Sequence, residues 1–393
     1  MKAAFKKDFA YAMTPLKILS WPVGTWPLQD YNAFSSARTI LAVFFLLLMV
    51  TIVQTELCLD RSDAEKNLDA LVLITCGILA VAKVICFRVW PAGLVANFTS
   101  AVADYERTSD KEKRVILRRH ARMGRVACAG VIFFSYFGST LFMLATMFAE
   151  KEEEPFNVTE KDAPNYPIPS ENILAIVNAP DSLFVLIFVL EYMMMLMTST
   201  GNLGSDSLFF GIAFHLCGQV EVLRLEFSKL NNEHGRAVDR FVVLIKRHIY
   251  LLHLAEMLNG TISSVLIVQL FSSCILICTS GFQFILALSV GNVVLVIKTF
   301  TSQSALLVQL FAYSYVGDYL TRRMENVGNS AYFCSWYDLP KSVAKDIVYI
   351  ISRAHDPVQL TAGKFFVVNM ETYMSILKTS MSYLSVLRVM VNA

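Results

Sequence analysis

This 393-residue chain lacks every common catalytic signature. It holds no G-x-x-x-x-G-K-[ST], H-E-x-x-H, C-x-x-C or G-x-S-x-G, which removes the usual nucleotide-binding, zinc-hydrolase, thiol-redox and serine-hydrolase readings. Histidine is scarce at six, and none sits at metal-ligand spacing from a cysteine or carboxylate. His248 and His253 are five residues apart and read as a solvated helix face, so neither a metal nor a cofactor is expected. Charged residues are only 17% of the chain and the net charge is +2, so no nucleic-acid partner is implied. Of the cysteines, Cys76, Cys86, Cys128, Cys217, Cys274 and Cys278 lie in apolar runs and Cys334 in a basic segment, leaving Cys58 alone near an outer loop. That excludes a disulfide framework. The N-terminus has Lys2, Lys6 and Lys7 but no apolar stretch before Trp21-Pro22, so it is not a cleavable signal and the first span must serve as its own.

What the chain has instead is hydrocarbon. At 55% hydrophobic with a mean hydropathy of +0.52 it exceeds the roughly 45–50% apolar share of soluble domains. Windows of about 20 apolar residues mark seven spans. They are Ala37–Val53, Leu68–Trp90, Gly124–Ala149, Ser182–Leu223, Ile262–Leu286, Val293–Tyr319 and Phe365–Met390. The fourth is too long for one crossing and is expected to continue as a helix beyond the membrane. The expected fold is an all-α membrane protein of seven transmembrane helices.

Basic residues set the orientation. Arg107, Lys111, Lys113, Arg114, Arg118, Arg119 and Arg122 follow span two, and Lys229, Arg236, Arg240, Lys246 and Arg247 follow span four. Arg322, Arg323, Lys341, Lys345, Arg353 and Lys364 precede span seven, while the alternate loops are poor in basic residues. This places the N-terminus in the cytoplasm and the C-terminus outside. Of the sequons at Asn97, Asn157 and Asn259, only Asn157 is then outside, and it is the expected glycan site. The orientation is opposite to that of a G-protein-coupled receptor. Span three also lacks an acidic-Arg-aromatic triplet, and span seven lacks Asn-Pro-x-x-Tyr.

The last span is striped. Glu371, Ser375, Lys378, Ser382, Ser385 and Val389 recur at steps of four and three, on one helical face. Hydrocarbon leaves such a face unpaired, so it must meet water or protein, as in a pore or bundle interior. Before it, Val343, Ile347, Ile350 and Ile351 form the apolar face of an amphipathic helix that begins after Pro340. Its partner is left open between another subunit and the membrane surface.

The C-terminal block carries a family likeness. Tyr332, Trp336-Tyr337-Asp338-Leu339-Pro340, Lys345-Asp346, Leu360-Thr361-Ala362-Gly363-Lys364-Phe365 and Ser382-Tyr383-Leu384-Ser385-Val386-Leu387-Arg388 are its clearest residues. Weaker matches are Asp206-Ser207-Leu208-Phe209 with His215 and Gln219, and Leu254 and Asn259 through Gly281-Phe282-Gln283. The chain resembles the insect odorant receptors, the odorant-tuned type rather than the shared co-receptor. A gustatory receptor is the alternative within the same superfamily, but its usual Thr-Tyr-x-x-x-x-Gln ending is absent. A transporter lacks support, since no inverted repeat or discontinuous helix pair is present.

The resemblance implies a subunit that assembles with the co-receptor, as a tetramer, in the plasma membrane of olfactory sensory neurons. It implies an odorant-gated, non-selective cation channel. Residues 1–320 would hold six spans and the ligand site, 321–364 a cytoplasmic anchor segment, and 365–393 the pore helix. Val386 matches the family's constricting valine, where an apolar ring would block ions by dewetting. The stripe adds Glu371, Ser375, Ser382, Ser385 and Val389 to the pore lining, with Lys378 and Arg388 awkward beside a cation path. A small volatile ligand has few polar handles and needs an apolar cavity. Candidates are Ile74, Thr75 and Ile78, then Tyr136, Ser139 and Phe142, and finally Phe188, Tyr192 and Met195 within a run that includes the adaptable Met193–Met197. Membrane lipid surrounds the bundle. Glu191 and Lys298 lie at depths where charge is costly, and a mutual pair is the favoured expectation.

Overall fold

Apolar runs longer than a bilayer is thick become helices longer than a bilayer is thick. The computed structural model describes residues 2–59, 64–147, 166–178, 180–230, 237–334, 336–338 and 340–392. In chain order the elements are α1 (Lys2–Ser20), α2 (Ala33–Leu59), α3 (Ala64–Val89), α4 (Ala92–Arg107), α5 (Lys111–Met147) and α6 (Glu171–Ile176). They continue with α7 (Phe184–Ser228), α8 (Ala237–Val290), α9 (Val293–Tyr332), α10 (Lys341–Ala354), β1 (Thr361–Ala362), β2 (Phe366–Val367) and α11 (Met370–Asn392). Among the described residues six helices, α2, α3, α5, α7, α8 and α9, are long and apolar enough to cross a membrane. The 23-residue α11 is the more polar seventh.

At 45, 54 and 40 residues, α7, α8 and α9 outrun a hydrocarbon layer of about 30 Å, which some 20 residues cross. The extension of α7 expected from its sequence is therefore seen, and α8 and α9 extend as well. The end of α7 is tied to α9 through Glu221–Arg323 and Arg224–Ser330, and α10 packs on α9 and α8. The central helix is α7: from Leu203 to Val220 every residue but Gly211 is buried. Between α8 and α9 the chain turns at Gly291 (φ 76°), and Asn292 caps α9 by accepting from the Val294 and Leu295 amides.

Several elements differ from the sequence expectation. α1 and α4 lie outside the expected spans; α4 packs on α8, and Asn97 donates to the Gly93 and Leu254 carbonyls. Phe365 does not begin the last helix. Gly363 (φ 57°) and Lys364 (φ 64°) are both left-handed and, with Phe365, make a three-residue hairpin loop that pairs Thr361 with Val367 and Ala362 with Phe366. Asn259 holds this hairpin, accepting from the Thr361 amide at 2.9 Å. Asn369 then caps α11 by accepting from the Thr372 amide. The apolar face of α10 has its partner within the chain: Ile347, Ile350 and Ala354 are buried in the cluster with Val327 and Ala331 of α9. Val348 and Tyr349 stay exposed. The Val343 side chain lies outside the described residues.

His248 is not on a solvated face. It is 3% exposed, in the part of α8 that precedes the Ile262–Leu286 span. Burial, aided by the Arg353 charge, pushes its pKa down to about 4, so the folded protein holds it neutral. The unfolded chain takes up this proton near pH 6.5, the folded one only near 4, so stability falls as pH drops through that window. We expect wild-type detergent-solubilised protein to lose melting temperature between pH 6.5 and 4.5. A His248→Gln variant should lose measurably less; equal slopes would remove His248 as the cause.

Candidate functional site

Five helices, α3, α5, α7, α8 and α9, surround a cavity of about 160 Å3. Its wall is mostly apolar, with Val72, Leu73, Leu79, Phe134, Phe142, Met195 and Leu306, interrupted by Ser139, Thr198, Ser199, Asn202 and Gln309. Among the described residues no charged side chain lines it.

The polar groups are held by one another, as hydroxyls within a membrane bundle must be. Ser139 and Ser199 share a hydrogen bond of 2.7 Å between α5 and α7, and Tyr136 and Thr200 share one of 2.8 Å beside it. Thr140 and Tyr192 join the same two helices at 3.3 Å. Asn202 donates to the Thr198 carbonyl on its own helix and to the Cys76 carbonyl across to α3.

Ion pairs lie beyond both ends of the cavity along the helices. Toward the start of α9, Lys298 pairs with Asp69 of α3, which also accepts from Gln283 of α8 at 2.7 Å. The Lys298 ammonium lies 4.3 Å from the Phe142 ring centre. At the other end Lys83 of α3, 0% exposed, pairs with Asp206 of α7. That carboxylate also accepts from Tyr313 and Gln309 of α9. Gln309 accepts in turn from Gln269 of α8 at 3.3 Å. Gln309 therefore belongs both to the cavity wall and to the buried ionic cluster. A buried pair stays charged only where such extra hydrogen bonds satisfy it.

The expected Glu191–Lys298 pair does not form. Lys298 is taken by Asp69, and Glu191 accepts from the Ser170 hydroxyl at 2.6 Å and the Ile168 amide at 3.1 Å. The acidic partner came from α3 and the donors from the segment before α6, neither of which local sequence reveals. Glu56 of α2 holds the start of α6 in the same way, accepting from the Asn172 and Ile173 amides. Ile168, fully buried, packs with Leu73, Ile74, Phe142, Met194 and Met195.

Of the nine ligand candidates, Ser139, Phe142 and Met195 line the cavity. Ile74 is in the apolar cluster with Ile168, and Tyr136 and Tyr192 lie on the hydroxyl seam between α5 and α7. Thr75 bonds back to Leu71, Ile78 is exposed, and Phe188 packs 5.9 Å from Phe184. Asn202, Ser199 and Gln309 were not anticipated. Their signal was available, since each is a polar residue inside an apolar run.

α11 packs through Tyr373, 5.8 Å from Phe311, and through Leu384, whose side chain abuts Gly281. Ser380 is buried on that side. Glu371, Ser375, Lys378, Ser382, Ser385 and Val386 are all exposed. The side chains of Arg388 and Val389 lie outside the described residues, as does Asn157.

Residues 63–381 match the profile of the family described as 7tm Odorant receptor. Odorant receptor 13a of Drosophila melanogaster is 22% identical, over 95% of this chain and 96% of that protein. Odorant receptor 10 of Aedes albopictus is 21% identical, over 75% of this chain and 77% of its own length. The insect olfactory receptor OR5 from Machilis hrabei has a similar fold, with TM-score 0.76 and 16% identity over 95% of this chain and 97% of that one. Its structure in complex with eugenol aligns with TM-score 0.72, over 99% of this chain and 98% of that one.

Proposed function

The chain is a multi-pass membrane protein of the 7tm odorant receptor family, a family of receptors and not of enzymes, and from that premise we propose that it is a subunit of a ligand-gated, non-selective cation channel. A small volatile bound between α3, α5, α7, α8 and α9 would open it. The observation that carries this reading is the cavity itself: walled by five helices, without a charged side chain among its described lining residues, and about 160 Å3 in volume. An apolar cavity of about 150 Å3 is enough to accept benzene. The fold neighbour from Machilis hrabei was solved with eugenol, which supports a small organic ligand here.

The polar stripe of α11 is left exposed by its own chain, which supports a pore completed by other subunits. In this reading the partner is the family's co-receptor, in a tetramer, at the plasma membrane of olfactory sensory neurons. Val386 is the gate, and Glu371, Ser375, Ser382, Ser385 and Val389 line the path. Residues 321–364 form the anchor, offering the exposed Phe333, Tyr337 and Tyr349, and residues 1–320 and 365–393 are the receptor and pore parts. The N-terminus is cytoplasmic. The amides of Asn97 and Asn259 are engaged in hydrogen bonds, which supports Asn157 as the glycan carrier.

Co-expression with the co-receptor, recorded against a panel of volatiles, tests this. Wild type is expected to pass ligand-evoked current, and Ser199→Phe, which puts a ring into the cavity, to need at least tenfold more ligand at equal surface level. Val386→Ala should raise current without ligand. Current that needs no partner overturns the heteromer, and an unchanged dose response in Ser199→Phe overturns the cavity. Unchanged current size and ion selectivity in Val386→Ala and Glu371→Gln overturn the pore assignment.

A further inference from the structure

Far from the cavity, at the basic end of α5, an open recess is lined by Tyr11, Val115, Arg118, Arg119 and Arg122. Its construction begins with a proline. Pro15 lies inside α1 and has no amide hydrogen, so the carbonyl of Tyr11, four residues earlier, loses its helical partner. Arg125 of α5 supplies the missing donor at 2.8 Å. The same guanidinium lies 4.2 Å from the centre of the Tyr11 ring, and Arg118 lies 5.4 Å from it. Tyr11 is therefore pinned as a wall of the recess.

Among the described residues no carboxylate compensates the charge in the recess. Neighbouring carboxylates are already engaged: Asp8 with Arg114, Glu112 with Lys229 and Glu226 with Lys113. Among the described residues no ion pair reaches Arg118, Arg119 or Arg122, and all three are exposed.

Position on the helix indicates what fills it. Val115, Arg119, Arg122, Val126, Gly130, Phe133 and Phe137 follow one another by three or four residues and so share one face. Val126, Phe133 and Phe137 are exposed, and a side chain added at Gly130 would meet nothing within 4 Å. From Arg122 to Phe137 that face rises about 22 Å, more than the ~15 Å depth of one leaflet. An exposed apolar strip thus runs directly into three guanidiniums that no described carboxylate pairs.

We propose that this recess binds the phosphate of an anionic phospholipid from the adjoining leaflet, with its acyl chains along Val126, Gly130 and Phe133. Arg118, Arg119 and Arg122 hold the phosphate oxygens, a geometry the guanidinium fork suits. Basic residues gathered at the cytoplasmic boundary explain the charge alone; they do not explain a pinned aromatic wall or continuity with the apolar strip.

The test uses purified full-length protein in detergent with mixed phosphatidylcholine and phosphatidylglycerol, counting retained lipid by native mass spectrometry. Wild type should keep phosphatidylglycerol selectively. The Arg118→Gln, Arg119→Gln, Arg122→Gln triple variant should keep it about a hundred-fold more weakly, each charge contributing roughly fivefold. The matching Arg→Lys triple should stay within about tenfold of wild type, since charge is kept. A charge-matched control, Arg240→Gln, Lys246→Gln and Lys341→Gln, should behave as wild type. If the Gln triple does not elute as a folded particle, Arg122→Gln alone should show the fivefold loss. Wild-type retention by the Gln variant, an equal loss in the control, or soluble glycerol phosphate competing as well as the diacyl lipid overturns the proposal.

Discussion

Replacing Asp206 with alanine is expected to remove folded receptor from the membrane. Asp206 is 1% exposed and is the single acceptor for Lys83, Tyr313 and Gln309, which come from two other helices. Without it, Lys83 is a buried ammonium with no counter-charge, and two further donors lose their acceptor. Breaking a buried pair in this way costs about 3–5 kcal/mol, against total stabilities of roughly 5–15 kcal/mol. A compensating variant separates charge from shape. In Lys83→Met with Asp206→Asn, both charges go while the Asn oxygen still accepts from Tyr313, and most of the folded yield should return. Fluorescence-detected size exclusion reads both outcomes. A monodisperse Asp206→Ala peak with wild-type melting would show that the cluster does not hold α3, α7 and α9 together.

Gly317→Ala is expected to be nearly as damaging, for a steric reason. A Cβ there would sit 2.0 Å from the Val368 carbonyl oxygen and 3.1 Å from its carbon. Both atoms are backbone, so no rotamer relieves the clash and α9 must move away from the hairpin. The hairpin resists, because Asn259 grips Thr361, the Val368 amide donates to Leu360 and Thr372 donates to the Val367 carbonyl. Such overpacking costs about 1–3 kcal/mol, occasionally more. Because α11 begins two residues after Val368, ligand-evoked current should fall further than surface level does. Gly93→Ala meets the Met257 carbonyl at 2.3 Å, yet it sits at the α4–α8 contact, so current and surface level should fall in proportion. Gly260→Ala has open space and should be neutral. Equal current per surface receptor in Gly317→Ala and wild type would remove the claim that this contact sets the base of α11.

The apolar runs were readable because hydrocarbon leaves few alternatives to a helix. The rotation of each helix was not. Lipid-facing and protein-facing residues are equally apolar, so Ile78, 52% exposed, and Leu79, 3% exposed and on the cavity wall, look alike in a sequence. Met193 and Met195 differ in the same hidden way. Charge partners failed for a related reason. Glu191 and Lys298 were matched as two conspicuous charges in apolar runs, but pairing depends on which helices are neighbours, and Asp69 and Ser170 were nearer. Lys83 did carry a readable signal, a cation deep inside the apolar run of span two. The hairpin at Thr361–Val367 was obscured because Phe365, Phe366, Val367 and Val368 continue the apolar run of the last helix.

The two ion pairs beyond the ends of the cavity act like fixed rungs that share one upright, α3. Asp69 meets Lys298 of α9 and Lys83 meets Asp206 of α7, to which Tyr313 of α9 also donates, and every α3 and α9 cavity residue lies between these positions. Apart from Gln309, which donates to Asp206, the α3 and α9 cavity residues take no part in these pairs. If the cavity is the ligand site we propose, the residues that would choose the ligand are then largely separate from those that hold the helices together.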